Sequence, residues 1–229
     1  MATQDNSNQY KILAFDTAMD ACSVAVCIGN EVVATCHEEM RRGQAERLLV
    51  MVGEVCEGAG LTLDQFDYLV TTIGPGSFTG VRVALAAAKG IALVTGVSVV
   101  PLTTTEAIAA TALPLPDGSL AVAIDARREQ LYLQQFQVRH GEIFVESEPT
   151  ISALSALPAL RPKTPLRVIG SGRKMVCEAW PAAEPLDTEI AKAADFVIYG
   201  AKQIERAQPA SDVLPLYLRA PDAKLPKVK

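Results

Sequence analysis

Apolar residues near the start of the chain fall into short runs separated by turn residues. The run KILAF, residues 11–15, ends at Asp16-Thr17, and CSVAVCI occupies residues 22–28. Gly29-Asn30-Glu31 separates that run from VVATC, which begins at Val32. Short apolar runs bounded by turn residues are typical of β-strands. The pattern predicts a three-stranded antiparallel meander.

The same order of features returns about half a chain later. LAVAI begins at Leu120 and ends at Asp125-Ala126, and LYLQQFQV follows the charged turn 127–129. His140-Gly141 forms the next turn, after which IFVE resumes the apolar pattern. Self-similarity of this kind indicates an internal duplication of a three-stranded unit.

Helical spacing follows the first meander. Apolar residues recur every three or four positions from about residue 39 to 59, and Gly60 is a typical helix end. A strand at 68–73 leads into a glycine loop and then a helix over about 79–94. After a short strand at 97–100, Thr103 and Glu106 form a capping box that predicts another helix.

The second half shows weaker signals. Residues 149–165 are interrupted by prolines and only weakly helical, and 166–169 is a strand candidate. An amphipathic helix is expected over about 188–204, and a short closing strand over 216–218. The order βββαβα therefore occurs approximately twice, with the second copy less complete.

This duplicated order predicts an α/β protein with two subdomains that carry mixed sheets, the second one reduced. By analogy it corresponds to the actin-like fold (the ASKHA, ribonuclease H-like class), in which a nucleotide lies between the halves. We expect the first subdomain at residues 10–110 and the second at 111–219. Residues 1–9 and 220–229 are expected to be flexible tails.

The glycine loop lies within IGPGSFTGVR, residues 73–82. A Walker loop requires Lys and then Ser or Thr after its last glycine, whereas Gly80 precedes Val81-Arg82. A dinucleotide-binding loop has a different glycine spacing. Free N–H groups at the following helix could still cradle an anion. A sharp strand-to-helix turn, capped by Ser77 or Thr79, explains the residues more simply.

Asp16 and Asp125 occupy equivalent places in the two repeats. In an actin-like ATPase these aspartates would hold a hydrated metal and position water. Alternatively, each aspartate accepts hydrogen bonds from turn N–H groups, which is the favoured interpretation. The weak candidates for a vestigial nucleotide cleft are Asp16, Thr17, Gly76, Ser77, Thr79, Gly80 and Asp125.

The two long helices of the first half carry unusual apolar surface. Only Arg82 and Lys89 are charged on the second helix, which is apolar on almost every side. On the first helix, Val50 and Met51 lie off the main apolar stripe, which suggests an exposed patch. A fully buried core helix and a partner interface both remain open. The candidate interface residues are Gln44, Leu48, Val50, Met51, Glu54, Arg82, Leu85, Ala86, Lys89 and Leu93.

Composition narrows the classes of function. A net charge of −5 argues against a protein that binds nucleic acid by itself. The five cysteines form no CxxC pair, and the start lacks a signal-peptide core, so a cytoplasmic protein with reduced thiols is expected. The two histidines, His37 and His140, lie far apart, so we expect neither a metal site nor a catalytic triad.

Four stretches, in order, resemble the bacterial TsaB (YeaZ) family. They are ILAFDTAMDACSVAV, QAERLLVMV, IGPGSFTGVRVALAAAKGIAL and AIDARREQLY. LPLYLR, residues 214–219, is similar to the closing segment of that family. The resemblance spans nearly the whole chain, and the stretch containing the glycine loop is the most specific part.

The resemblance implies a non-catalytic subunit in the biosynthesis of threonylcarbamoyladenosine beside the tRNA anticodon. Such a subunit pairs with the metal-containing TsaD transferase, or with itself, through the two helices of its first half. The TsaE ATPase joins the pair, and tRNA is contacted only through the complex. No cofactor, metal or membrane is implied. Gln44 replaces a histidine found in many relatives, which favours a non-catalytic role.

Two other functions remain as alternatives. An actin-like ATPase or sugar-type kinase would need Asp16, the glycine loop and Asp125 to form a complete site. A glycoprotease-like hydrolase is suggested by an older family name. The absence of a histidine pair or an evident triad counts against the hydrolase.

Overall fold

The computed structural model describes residues 10–160, 166–188 and 190–219, so both expected tails lie outside the described residues. A five-stranded sheet is built from the first half in the order β3-β2-β1-β4-β5. β1 to β3 are antiparallel, as the meander predicted, while β4 and β5 continue the sheet in parallel with β1. The strands are β1 (Lys11–Asp16), β2 (Ala21–Ile28), β3 (Glu31–Glu39), β4 (Tyr68–Thr72) and β5 (Ser98–Leu102).

The second sheet repeats this plan. Its order is β11-β10-β6-β7-β8, and β9 also pairs with β7. β6 to β8 are antiparallel and β10 runs parallel to β6, as β4 does to β1. The duplication inferred from the sequence is therefore confirmed. The strands are β6 (Gly118–Asp125), β7 (Gln130–Arg139), β8 (Glu142–Val145), β9 (Thr150–Ala153), β10 (Leu166–Ile169) and β11 (Glu184–Pro185).

Helices pack against the faces of the sheets, and the interior consists of separate cores on opposite faces. β1 alternates between two cores, since Ile12 and Ala14 face one while Leu13 and Phe15 face the other. α1 and α2 cover the second of these cores, whereas α3 and α5 cover the first. The helices are α1 (Gln44–Ala59), α2 (Phe78–Thr95), α3 (Thr104–Thr111), α4 (Arg173–Ala179) and α5 (Ala193–Ala201).

Local sequence signals explain several helix ends. α1 ends at Gly60, whose left-handed backbone lets its N–H donate to the carbonyls of Cys56 and Glu57. The expected capping box opens α3, with the Thr103 hydroxyl accepting from the Glu106 N–H at 3.0 Å. Ser77 caps α2 by accepting from the Gly80 N–H at 3.3 Å.

Some expected boundaries were wrong. α1 begins at Gln44 rather than near residue 39, because Glu39 still pairs with Ala21 in the first sheet. α5 covers only Ala193–Ala201, not 188–204. Residues 216–218 form no strand, although the Leu216 N–H donates to the Ile73 carbonyl at 2.7 Å. α4, β9 and β11 had no clear signal in the sequence.

Candidate functional site

Asp16 ends β1 in a fully buried position. One of its oxygens, Oδ1, accepts hydrogen bonds from the Ala18 N–H at 3.1 Å and from the Thr72 hydroxyl. Its other oxygen, Oδ2, is buried and has no hydrogen-bond partner among the residues described. Burial raises the pKa of the carboxyl from 3.8 to about 6, against the lowering effect of the Thr72 hydrogen bond.

The glycine loop packs directly on the turn that follows Asp16. The Ser77 N–H donates to the Ala18 carbonyl at 2.8 Å, and the Thr17 hydroxyl donates to the Gly80 carbonyl at 2.7 Å. A Cβ atom on Gly80 would lie 1.9 Å from the Thr17 carbonyl oxygen, and one on Gly76 would lie 2.5 Å from that of Ala18. Both glycines are therefore required for close packing of the loop on the β1–β2 turn.

The second half carries an equivalent arrangement. Asp125 Oδ1 accepts from the Arg127 N–H at 2.7 Å, just as Asp16 accepts from the residue two positions on. A Cβ atom on Gly170, after β10, would meet the Ala123 carbonyl oxygen at 2.4 Å. The duplication thus extends to the loop packing, and both aspartates accept the turn hydrogen bonds that the simpler interpretation expected.

A cleft of about 840 Å³ opens where the ends of the two sheets meet. Of the seven residues proposed for a nucleotide cleft, only Gly76, Ser77 and Asp125 line it. Asp16, Thr17 and Gly80 are buried and do not line it, while Thr79 is exposed elsewhere. The sequence interpretation missed other lining residues, namely Phe78, Arg41, Arg127, Tyr132, Tyr217 and Arg219.

The segment Leu214–Arg219, termed here the C-terminal strap, lines this cleft with its residues 216–219. Its Leu216 N–H is bonded to the carbonyl of Ile73 in the first half of the chain. At its other end, Arg219 donates to the Gln130 side-chain oxygen at 2.5 Å in the second half. The strap therefore joins the two halves at the cleft, through contacts between residues that are 89 positions or more apart along the chain.

The exposed sides of α1 and α2 form a second candidate site, termed here the helical face. Val50 and Leu93 are 53% and 88% exposed, and the smaller Ala86 is also exposed. Glu54, Arg82 and Lys89 are exposed, and Gln44 is half-buried. These are seven of the ten residues predicted for a partner interface.

The other three residues belong to the core. Leu48, Met51 and Leu85 are 1%, 0% and 5% exposed, so the prediction that they contribute to an exposed surface was wrong. Leu49 also follows the helical spacing of the apolar residues in this segment, yet it is 58% exposed. The buried stripe of α1 is thus rotated toward Met51, because that side faces β2 and α2.

α2 is long and apolar enough, by length and composition, to cross a membrane. In this structure 39% of its residues are buried. Its Val81, Ala84 and Ala88 pack in the core shared with β1 and α1. A core helix passes the same test of length and composition, and the packing accounts for the apolar character on that side.

Comparison with known proteins identifies the family. The tRNA threonylcarbamoyladenosine biosynthesis protein TsaB of Haemophilus influenzae is 32% identical over 228 residues, covering 91% of this chain and 93% of that protein. The chain belongs to the TsaB family. A family model described as TsaD, tRNA N6-adenosine threonylcarbamoyltransferase, also matches residues 35–167 of this TsaB-family chain.

Solved structures agree with this family and with the fold. YeaZ from Pseudomonas aeruginosa has a TM-score of 0.80 at 26% identity, covering 92% of this chain and 100% of that one. Component A of the (R)-2-hydroxyglutaryl-CoA dehydratase from Acidaminococcus fermentans has a TM-score of 0.50 at 11% identity, covering 86% of this chain and 100% of that one. The second likeness concerns the fold alone. The TsaB-family chain therefore has the duplicated actin-like α/β fold.

Proposed function

We propose that this TsaB-family chain is a non-catalytic scaffold subunit for threonylcarbamoylation of the tRNA adenosine next to the anticodon. It pairs with a TsaD-type transferase through the helical face, and a TsaE-type ATPase joins the pair. The chain acts in the cytoplasm, contacts tRNA only through the complex, and can pair with itself when isolated. The observation that carries this proposal is the exposed apolar surface of α1 and α2.

The helical face has the composition of a docking surface. Leu93 and the neighbouring Val94 are 88% and 86% exposed, which is unusual for large apolar side chains on a helix. Gly53 on α1 and Gly90 on α2 have open space where a Cβ atom would lie, with no neighbouring heavy atom within 4 Å. Such open glycines allow a helix of a second protein to approach closely.

The cleft supports a scaffold more than a catalyst. Asp16, which an actin-like ATPase would use to hold a hydrated metal, is buried away from the cleft. Within the described part of the chain, no three His, Cys, Asp or Glu side chains are grouped to hold a metal ion. The two histidines are also separated, with His37 in β3 and His140 in the turn after β7.

The main alternative remains an actin-like ATPase or kinase, which the volume of the cleft and its lining by Ser77 and Asp125 favour. Titration calorimetry with ATP and magnesium distinguishes the two functions. Micromolar binding that is lost in the Asp125→Asn variant would favour the ATPase. A scaffold is expected to give no such signal.

Charge substitution on the helical face tests the scaffold directly. Val50→Glu and Ala86→Glu each place a carboxylate where a partner would cover it, which disfavours association strongly. Light scattering of each variant mixed with the TsaD-type transferase of the same organism is expected to show separate proteins. The matched control is Val145→Glu, because Val145 is 40% exposed on β8, away from this face.

Transferase activity completes the test. The wild-type chain alone is expected to transfer no threonylcarbamoyl group to tRNA, while its addition activates the transferase. The Val50→Glu variant is expected to give no activation, and the Val145→Glu control full activation. Transfer by the purified chain alone, or a stable complex with both charged variants, would show the proposal to be wrong.

A further inference from the structure

Arg82 is held in place by two aromatic side chains. Its guanidinium carbon lies 3.7 Å from the centroid of the Phe78 ring, and its Nε–H donates to the Tyr217 hydroxyl at 2.8 Å. The rings of Phe78 and Tyr217 also contact each other, with centroids 5.2 Å apart and planes tilted by 32°. Tyr217 belongs to the C-terminal strap, so the strap fixes the orientation of an arginine on α2.

The terminal amino groups of Arg82 are not restrained in this way. Among the residues that the structure describes, none accepts a hydrogen bond from Nη1 or Nη2 of Arg82, and the residue is exposed. A guanidinium offers these groups as a planar fork that matches a carboxylate. Because stacking and the Tyr217 hydrogen bond already order the side chain, binding an anion would cost little further conformational entropy.

The position of Arg82 relates it to the helical face. Arg82, Ala86, Lys89 and Leu93 follow one another at helical spacing along the exposed side of α2. Phe78 and Tyr217 are themselves 49% and 41% exposed, so apolar surface flanks the guanidinium. Ordered arginine and tyrosine side chains with apolar surroundings are the residue types that dominate binding energy at protein interfaces.

We propose that Arg82, held between Phe78 and Tyr217, binds a carboxylate side chain of the protein that docks on the helical face. The C-terminal strap is then part of the docking surface, because Tyr217 orients the arginine. This inference rests on the proposed function and adds to it the chemistry of one contact and a role for the strap. An acidic residue is favoured because the two cations of α2, Arg82 and Lys89, lie in the same exposed row.

The affinity of the full chain for the TsaD-type transferase of the same organism tests this contact. Loss of a charge-assisted hydrogen-bonded pair in Arg82→Gln is expected to weaken binding at least about tenfold, and to reduce its dependence on salt. Tyr217→Phe keeps the ring but removes the acceptor, so a smaller loss is expected. The control is Lys174→Gln, an exposed cation on α4, which is expected to bind as the wild type does.

Two comparisons separate the possible failures. If Arg82→Gln binds normally while Val50→Glu does not bind, this inference is wrong and the proposed function stands. If Val50→Glu and Ala86→Glu both also bind normally, the proposed function fails as well. A phosphate would be the true ligand if Arg82→Gln left the affinity between the proteins intact but weakened binding of tRNA by the complex, and that result would overturn the inference. Arg82→Lys, which keeps the charge without the planar fork, is expected to fall between wild type and Arg82→Gln.

Discussion

Asp16 shows how a single buried carboxyl can work against the stability of the molecule at neutral pH. Its Oδ1 is well satisfied, but its Oδ2 is buried and has no partner in the described structure. Removing a carboxylate from water favours the protonated form, which is why the pKa rises to about 6. The surroundings of Asp16 therefore disfavour its charged form.

Asp16 is therefore expected to make unfolding dependent on pH. Because the folded-state pKa of about 6 lies above the unfolded value of 3.8, the carboxyl contributes its full stability below about pH 4. That contribution, about 3 kcal/mol, is lost as the pH rises through 6. The asparagine of the Asp16→Asn variant stays neutral at both pH values. The excess of its free energy of unfolding over that of the wild type should therefore be larger at pH 7.5 than at pH 5.

Urea unfolding of both proteins at pH 5 and pH 7.5 measures this effect. The change in the difference between them isolates Asp16, since other groups titrate equally in both. Asp20→Asn is the control, because the Asp20 side chain is 58% exposed and lies at an ion-pair distance of 3.6 Å from Arg41. A difference between wild type and Asp16→Asn that is the same at both pH values would contradict the assignment.

At this scale the sequence predicted some residues better than others. The aspartates, the capping pair Thr103 and Glu106 and the loop glycines were recognisable because their chemistry is local. The sequence did not show which side of α1 is buried. A stripe that includes Leu49 and a stripe that includes Met51 both have helical spacing. Only the packing of α1 on β2 decides between them.

At the scale of elements, α2 depends on one very close approach. The helix begins where Gly80 meets the Thr17 carbonyl, and it ends at Gly96, whose N–H donates to the Ala92 carbonyl at 2.8 Å. The contact at Gly80 fixes the helix to the end of β1. The orientation of the helical face therefore depends on Gly80, a residue that has no side chain.

Two glycines of α2 should respond oppositely to alanine. Gly80→Ala places a Cβ 1.9 Å from a backbone oxygen, which is expected to destabilise the protein by about 3 kcal/mol or more. Gly90→Ala meets no atom within 4 Å in a helical position, so a gain of about 0.5–1 kcal/mol is expected. Urea unfolding measures both changes. If both substitutions changed the free energy of unfolding equally and with the same sign, the packing argument would be refuted. If Gly80→Ala gave no soluble protein while Gly90→Ala folded normally, the argument would be supported.

Elements with strong periodicity or clear punctuation were predictable, whereas short ones stabilised by distant contacts were not. The two meanders and α2 lay close to their expected bounds. β11 has only two residues and exists because β10 lies beside it, so its own sequence carries little information. Residues 216–218 of the strap were expected to form a strand, but the contact of Tyr217 with Arg82 links residues 135 positions apart. Local sequence patterns do not predict contacts between residues so far apart along the chain.

At the scale of the whole molecule, the duplicated halves share an interior. α5 comes from the second half of the chain, yet it contacts β1 and β2 of the first sheet. Phe196 of α5 is fully buried in a core that also contains Ile12 from β1 and Leu120 from β6. A Cβ on Gly200 would lie 2.6 Å from a Val70 methyl, which shows how closely this helix packs on the first sheet. The two sheets are thus held by one hydrophobic core rather than by a linker alone.

A shared core predicts that the halves unfold together. Trp180, the single tryptophan, is buried in the second half and reports on it by fluorescence. Cys22 and Cys27 are buried in β2, and their labelling, followed by mass spectrometry, reports on the first half. Both probes should give the same urea midpoint. Phe196→Leu leaves a small cavity in the shared core. Both probes should therefore report a free energy of unfolding that is lower by about 1–2 kcal/mol.

The comparison with Trp180 substitution distinguishes a shared core from two independent units. Trp180 packs in a separate cluster of the second half, with Leu157 and Val176. If the halves are one cooperative unit, Trp180→Phe lowers the urea midpoint at which Cys22 becomes labelled. For an equal loss of stability, this shift should be as large as the shift caused by Phe196→Leu. If instead Trp180→Phe leaves the first half unchanged, the halves unfold separately, and α5 would have to be regarded as a peripheral contact. The burial of Phe196 in a core that contains residues of both sheets argues for the first outcome. A cooperative body would also hold α1, α2 and the strap in a fixed relation, as the proposed scaffold function requires.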